Sequence, residues 1–197
     1  MREIIKMIVV LTVISVVMGV TLSLVESITR EPIEYSRLKF VKGPAILSIL
    51  SGYDNDPIKD FKKVELQDLN GTPIRKSLFP GKKNGKPFAV VFEIAGKGYH
   101  GKLGIMIGID LSTEKLTGMR VMTHSETPGL GARAVEPQFY NQFSGLSLKE
   151  VALSGRGGKI NAITGATLTS QGVIDAVRSG LELFIKNKKK IMDALRS

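Results

Sequence analysis

A long uncharged segment near the N-terminus most strongly constrains how this chain folds. Residues Met7 to Val25 read MIVVLTVISVVMGVTLSLV and include no charged side chain. A helix rises about 1.5 Å per residue, so this segment nearly matches the ~30 Å hydrocarbon core of a bilayer. The sequence therefore predicts a transmembrane helix at 7–25. It would follow a short N-terminus at 1–6 and precede a linker at 26–42 and a single domain at 43–197.

Charged residues around the apolar segment predict its orientation. Arg2 and Lys6 precede it, and the first acidic residue after it is Glu26. Because Lys and Arg favour the cytoplasmic side, we expect a cytoplasmic N-terminus and an extracytoplasmic, periplasmic main domain. The alternative is a cleavable signal peptide, whose apolar region is normally about 7–15 residues long and ends at a small-residue cleavage site. The longer segment, with no Ala after it, favours a retained anchor in the cell membrane.

Composition removes several classes of chemistry. The chain has no Cys and two His, which excludes Fe–S clusters, thiol redox chemistry and Cys-based zinc sites. The formal net charge is +10, and part of it lies in Lys186 and Lys188–Lys190. We interpret this run as a solvated helix face, with anionic membrane lipid or an acidic partner subunit as alternatives. Nucleic acid is not expected as a partner, because the domain is predicted to be exported and lacks interleaved basic and aromatic residues.

The remaining patterns predict an α+β domain. A run rich in Val and Phe at 88–94 predicts a strand, and further strands are predicted at 104–110 and 116–123. The segment at 61–69 fits a strand or a helix. Apolar spacing predicts helices at 43–50 and 137–143, and residues 82–87 form a polar turn. Strands joined by hairpins and followed by helices indicate an antiparallel sheet with helices packed against it.

The segment Thr164–Ser170, TGATLTS, is unusually rich in hydroxyl groups. Gly165 allows a tight bend, Ala166 adds little bulk, and an amphipathic helix follows. The apolar residues of that helix are Val173, Val177, Leu181, Phe184, Ile191 and Leu195. We expect Thr169 or Ser170 to be the N-cap. Free N–H groups and the positive end of the helix dipole make this a suitable place for a phosphate, although an ordinary capped helix is the alternative interpretation.

A second motif lies upstream at His124–Gly131, HSETPGLG. A proline and two glycines fix a turn and permit close backbone approach to a ligand. The residues that can contact such a ligand are His124, Glu126, Thr127, Gly129 and Leu130, with Leu130 placed to lie against a flat ring. A plain Pro–Gly turn is the alternative. Tyr99 and Tyr140 are further candidates for stacking on a ring, and Arg133 for pairing with a phosphate.

Together the two motifs resemble the FMN-binding domain of the Rnf and Nqr membrane redox complexes, over roughly residues 85–185. In that family the last Thr of [S/T]-G-A-T carries FMN through a phosphoester, which a flavin transferase makes from FAD. The resemblance implies that Thr167 is the attachment residue, with Thr164, Gly165, Ala166 and Thr169 close to the cofactor. Asn161 stands where the family often has Asp.

The resemblance also implies a function. The chain is similar to G-type subunits of Rnf complexes, which couple ferredoxin oxidation and NAD reduction to Na⁺ or H⁺ movement. It would be a membrane-anchored electron carrier whose partners are the other subunits and, during maturation, the transferase. We expect no catalytic residue and no metal ligand in the chain itself. The alternatives are a C-type Nqr subunit, a stand-alone flavoenzyme for which His124 is the only hint, and a cofactor-free anchored scaffold.

Overall fold

The computed structural model describes residues 1–37, 40 and 42–196, and the chain divides into two units, Met1–Val41 and Lys42–Ser197. In the first unit, helix α1 spans Arg2–Arg37. Its section Arg2–Thr29 is long and apolar enough to cross a membrane, and the side chains of this section are exposed. The segment predicted to span the membrane, 7–25, lies inside this section. The predicted linker, 26–42, is helical as far as Arg37, and residues 38, 39 and 41 lie outside the described residues.

In the second unit, the described residues form a five-stranded antiparallel sheet in which each strand pairs with the next along the chain. The strands are β1 Lys62–Gln67, β2 Pro73–Lys83, β3 Lys86–Lys97, β4 Lys102–Asp110 and β5 Leu116–Thr123. The central strand β3 is buried on both faces over Ala89–Phe92, as its continuous apolar run predicts. The predicted α+β class is therefore confirmed.

Strand β2 was not anticipated from the sequence. Pro80 and Gly81 interrupt its pattern, and the sheet accommodates them with a register shift between Gly81 and Lys82. The turn expected over 82–87 is confined to Asn84 and Gly85, with φ values of 51° and 72°. Positive φ at both central residues defines a type I′ turn, which suits a two-residue hairpin because it matches the twist of the strands.

A long C-terminal helix, α4, covers one face of the sheet from Thr167 to Arg196. Its predicted apolar stripe is buried, from Val173 to Leu195, and packs on sheet residues that include Phe92 and Ile107. On the opposite face, helix α2 (Gly43–Ile49) packs against β4 and β5, with Ile49 lying directly over Gly108. Both faces of the sheet are thus covered by helices.

The segment between β5 and α4 consists of short helical turns. Helix α3 spans Pro137–Tyr140, and 3-10 turns cover Gly131–Val135, Asn141–Phe143 and Ser154–Arg156.

A network of hydrogen bonds around Glu150 holds the chain in the segment that leads to α4. Lys159 pairs with Glu150 at 2.5 Å, and the backbone N–H and hydroxyl of Ser147 donate to the same carboxylate. Lys159 first, and then Ser147, lower the pKa of Glu150 to about 2.

Candidate functional site

The hydroxyl-rich segment opens with a tight turn. The backbone N–H of Ala166 donates to the carbonyl of Ile163 at 2.9 Å, and Gly165, the third residue of the turn, has φ of 78°. A type II turn requires positive φ at that position, which explains the glycine. Helix α4 begins immediately afterwards, at Thr167. The first backbone N–H groups of a helix have no partner within the helix, so they are available at this turn.

The start of α4 differs from the predicted one. Thr169 and Ser170 lie within the first turn of the helix, so the prediction that one of them is the N-cap is wrong. Ser170 Oγ accepts a hydrogen bond from the N–H of Ile163 at 2.9 Å and donates to the carbonyl of Ala166 at 3.0 Å. It thereby braces the turn from inside the protein. Thr169 donates to Glu126 instead.

The hydroxyl groups of residues 164–170 consequently have different surroundings. Thr169 and Ser170 are buried and engaged, whereas Thr164 and Thr167 are exposed. Thr164 borders a small depression of about 140 Å³ that Arg133 and Asn161 also line. Thr167 borders a larger cavity of about 440 Å³. Within this segment, Thr167 is the one hydroxyl that is both exposed and placed on the larger cavity.

The second motif forms a compact loop. The backbone N–H groups of Leu130 and Ala132 both donate to the carbonyl of Thr127, at 3.2 and 3.1 Å, and Gly129 has φ of 76°. The ring of His124 accepts a bond from the N–H of Glu126 at 3.3 Å through its Nδ1 atom. Backbone hydrogen bonds and the ring of His124 therefore brace the loop from within.

The fold brings the two motifs into contact. The hydroxyl of Thr169 donates to Glu126 Oε2 at 2.5 Å, across a separation of 43 residues. A Cβ atom on Gly165 would lie 3.0 Å from Leu130 Cδ2, and one on Gly131 would lie 2.5 Å from Glu126 Oε2. The close approach therefore depends on Gly131, whereas a side chain at Gly165 would displace Leu130.

The cavity of about 440 Å³ lies where the motifs meet, within the range of about 300–1,000 Å³ of small-molecule sites. Three large apolar side chains on it are unusually exposed: Tyr99 is 64 %, Leu168 65 % and Leu130 45 % exposed. An apolar surface beside a helix start suits a ligand that has a flat ring and a phosphate. Of these three, Leu168 was missed from the sequence. The available signal was a Leu in the first turn of α4, away from the apolar stripe.

The other predicted site residues lie at varying distances from this cavity. Glu126, Thr127, Gly165, Ala166, Thr167 and Thr169 line it, whereas His124 and Gly129 are exposed nearby without lining it. Arg133 pairs with Glu136 at 3.2 Å. The ring of Tyr140 lies under the Arg120 guanidinium at 3.6 Å, away from the cavity. Among the residues that the structure describes, no cluster of three His, Asp or Glu could hold a metal ion.

This fold and cavity define a class of domain that binds a flavin nucleotide. Residues 98–182 match the family model of the FMN-binding domain, and this range contains every residue that lines the cavity. A G-type subunit of an ion-translocating oxidoreductase complex from Methanosarcina acetivorans is 32% identical over 181 residues, covering 92% of this chain and 94% of that protein. The equivalent protein from Pseudomonas aeruginosa is 30% identical, covering 77% and 75% of the two chains. The chain belongs to the family of G-type subunits of ion-translocating oxidoreductase complexes.

Solved structures share the fold. The C-type subunit of the Na⁺-translocating NADH-quinone reductase from Parabacteroides distasonis superimposes with a TM-score of 0.54 at 21% identity, covering 87% of this chain and 97% of that one. The NqrC structure from Shewanella oneidensis gives a TM-score of 0.52 at 22% identity, covering 67% and 68%. At these identities the likeness establishes a common architecture.

Proposed function

We propose that this chain is an electron-carrying subunit of an ion-translocating oxidoreductase complex of the Rnf type. In this proposal α1 anchors the chain in the membrane, and the second unit carries FMN as a phosphoester on Thr167. The FMN-binding family match and the G-type relatives support the cofactor and the kind of complex. The other subunits of the complex supply the sites for ferredoxin, NAD and the transported ion.

One observation supports Thr167 as the attachment residue. Thr167 is the hydroxyl of residues 164–170 that is exposed, lines the 440 Å³ cavity and begins a helix. A phosphate on this oxygen would lie beside N–H groups that have no helical partner, and the positive end of the α4 dipole would stabilise its charge. Thr169 is buried and already donates to Glu126, so it is a poor acceptor for a transferase.

The chain's own residues bind and orient the cofactor. Leu130, Leu168 and Tyr99 offer apolar surface for a ring system and shield it from water, while Gly165 lets the backbone pass close to it. FMN supplies the one- and two-electron redox chemistry when it is bound, and the protein tunes and positions it. Covalent attachment suits an extracytoplasmic carrier, because a tether gives the cofactor a high effective concentration at its site.

The C-type subunit of an NADH–quinone reductase is the alternative assignment within the same fold. The solved structures carry that description, but they establish architecture alone at their identities. The relatives that match over most of this chain are G-type subunits, which favours the Rnf-type assignment. Copurification from native membranes, with the partner subunits identified by mass spectrometry, distinguishes the two.

The covalent cofactor is tested by expressing the chain with and without a flavin transferase. With the transferase, we expect a band that fluoresces under ultraviolet light after denaturing electrophoresis, and a mass increase equal to one attached FMN. Without the transferase, the band should be dark. A dark band beside a transferase that modifies another substrate would contradict the proposal and favour a cofactor-free scaffold.

The orientation of the anchor can be tested because the chain has no natural Cys. We expect Ser51→Cys, an exposed position after α2, to react with a membrane-impermeant maleimide in intact spheroplasts. Glu3→Cys should react only after the membrane is permeabilised. The reverse pattern would place the second unit in the cytoplasm, where the proposed extracytoplasmic carrier cannot work.

A further inference from the structure

Glu126 occupies an unusual position. Among the residues that the structure describes, it is the one buried side chain that carries a charge, with 6 % of its surface exposed. It lies on the wall of the cavity. Burying a carboxylate is costly unless its oxygens are hydrogen-bonded, so the partners of this group decide whether it is tolerated.

Both oxygens of this carboxylate are engaged by the protein. Oε1 accepts a hydrogen bond from the backbone N–H of His100 at 3.0 Å, and Oε2 accepts one from the hydroxyl of Thr169 at 2.5 Å. Both donors are neutral, so these bonds stabilise the negative charge without cancelling it. The carboxylate also packs directly on Gly98 and Gly131, where a Cβ atom would overlap its oxygens.

These contacts join three separate walls of the cavity. The His100 bond reaches the turn between β3 and β4, residues 98–101, which carries Tyr99. The Thr169 bond reaches the first turn of α4, which carries Thr167 and Leu168. Glu126 itself belongs to the loop that carries Leu130. A second contact supports the link between this loop and the turn at 98–101, since Thr127 Oγ1 lies 3.3 Å from His100 Nδ1.

We propose that Glu126 is a positioning residue that ties these three walls together, and that its buried negative charge lowers the reduction potential of the flavin in the cavity. The inference rests on the proposed function for its second part only. A fixed anion beside the cofactor disfavours the arrival of an electron, because like charges repel strongly where water is excluded. The sequence suggested a direct ligand contact for this carboxylate, whereas its two oxygens face the protein.

Three substitutions in the full-length chain, kept in detergent, separate the two roles. Glu126→Gln removes the charge but can keep both links through its carbonyl oxygen and its amide group. Glu126→Ala removes charge and links. Thr169→Val removes one link and retains the charge. Glu65→Gln, on the exposed face of β1, is the control for a change in net charge.

Two measurements are needed, one of them independent of flavin. In the flavin-loaded protein, we expect a more positive midpoint potential for Glu126→Gln and no shift for Glu65→Gln. In the unloaded protein, hydrogen exchange of residues 98–101 should accelerate by about tenfold or more in Glu126→Ala, because a hydrogen bond to a charged group is lost. The acceleration should be smaller in Glu126→Gln, which can keep the hydrogen bond to the His100 N–H but not the charge. Thr169→Val should accelerate exchange of the Ser170 N–H, which donates to the Ala166 carbonyl at 3.0 Å. The midpoint potential of Thr169→Val should lie closer to that of the unchanged chain than the potential of Glu126→Gln does.

The outcomes are distinguishable. Equal potentials for Glu126→Gln and Glu65→Gln at equal flavin content would overturn the electrostatic role. Unchanged exchange at residues 98–101 in Glu126→Ala would overturn the positioning role. If the chain without any substitution takes up no flavin from an active transferase, the proposed function and the electrostatic role of Glu126 are both overturned. The hydrogen-exchange measurement still tests the positioning role, because it uses the unloaded protein.

Discussion

Replacing Thr167 with Val is expected to reduce covalent flavin to the background seen without the transferase. Val has nearly the same shape as Thr but has no oxygen to accept a phosphoryl group. Thr167 is exposed and is the first residue of α4, so the substitution should leave the fold intact. In-gel fluorescence and intact-protein mass measure the effect, and the far-ultraviolet circular dichroism spectrum verifies folding.

Two further substitutions make this result specific. Thr167→Ser keeps a hydroxyl and should retain measurable flavin. Thr164→Val is the matched control, because Thr164 is exposed in the same motif but borders the smaller depression with Arg133 and Asn161. It should therefore stay fluorescent. Loss of fluorescence in Thr164→Val together with its persistence in Thr167→Val would move the attachment to Thr164.

Replacing Gly172 with Ala should destabilise the second unit and impair flavin loading. Gly172 lies in α4 where the helix meets the end of β3, and a Cβ atom there would overlap the carbonyl oxygen of Lys97. Ala normally stabilises a helix by about 1 kcal/mol relative to Gly. Overpacking costs about 1–3 kcal/mol, and a clash with backbone cannot be relieved by rotating a side chain. We expect the clash to dominate and to move α4 away from the turn that carries Tyr99.

Thermal unfolding provides the measurement. With these terms the net loss is up to about 2 kcal/mol, which corresponds to a decrease in Tm of up to roughly 4–8 °C for a domain of this size. Gly155→Ala is the control, since no atom lies within 4 Å of the position of its Cβ, and it should change Tm little. A Gly172→Ala chain as stable as the unchanged protein would show that α4 does not press on β3 in this way.

The sequence predicted the architecture well where a pattern was local. Three of the strands and the apolar stripe of α4 followed from residue spacing alone, because each reflects which side of an element is buried. Strand β2 was missed because Pro80 and Gly81 break the alternation, and only pairing with both neighbours reveals it. The two site motifs were found in order, and the fold places them in contact.

The details of the site depended on partners that are distant along the chain. Thr169 and Ser170 match the residue types of an N-cap. In the fold, however, the Thr169 hydroxyl donates to Glu126, and the Ser170 hydroxyl accepts a hydrogen bond from the Ile163 N–H. Residue type predicted a ligand contact for the Glu126 carboxylate, and only the fold shows that both of its oxygens accept hydrogen bonds from the protein. Tyr99 lies on the cavity because it is in the turn between two strands, and the residues around it in the sequence do not predict that position.

In the proposed function, the position of Thr167 at the very start of α4 has a consequence for electron transfer. This helix is buried against the sheet along much of its length, as far as Leu195. A group fixed to its first residue therefore gains no backbone freedom, unlike a cofactor mounted on a swinging arm. The bonds between the Thr167 oxygen and the ring of the attached group then set how far that ring can reach. Any shuttling between distant redox partners would have to come from movement of the second unit as a whole, or from partners that approach it.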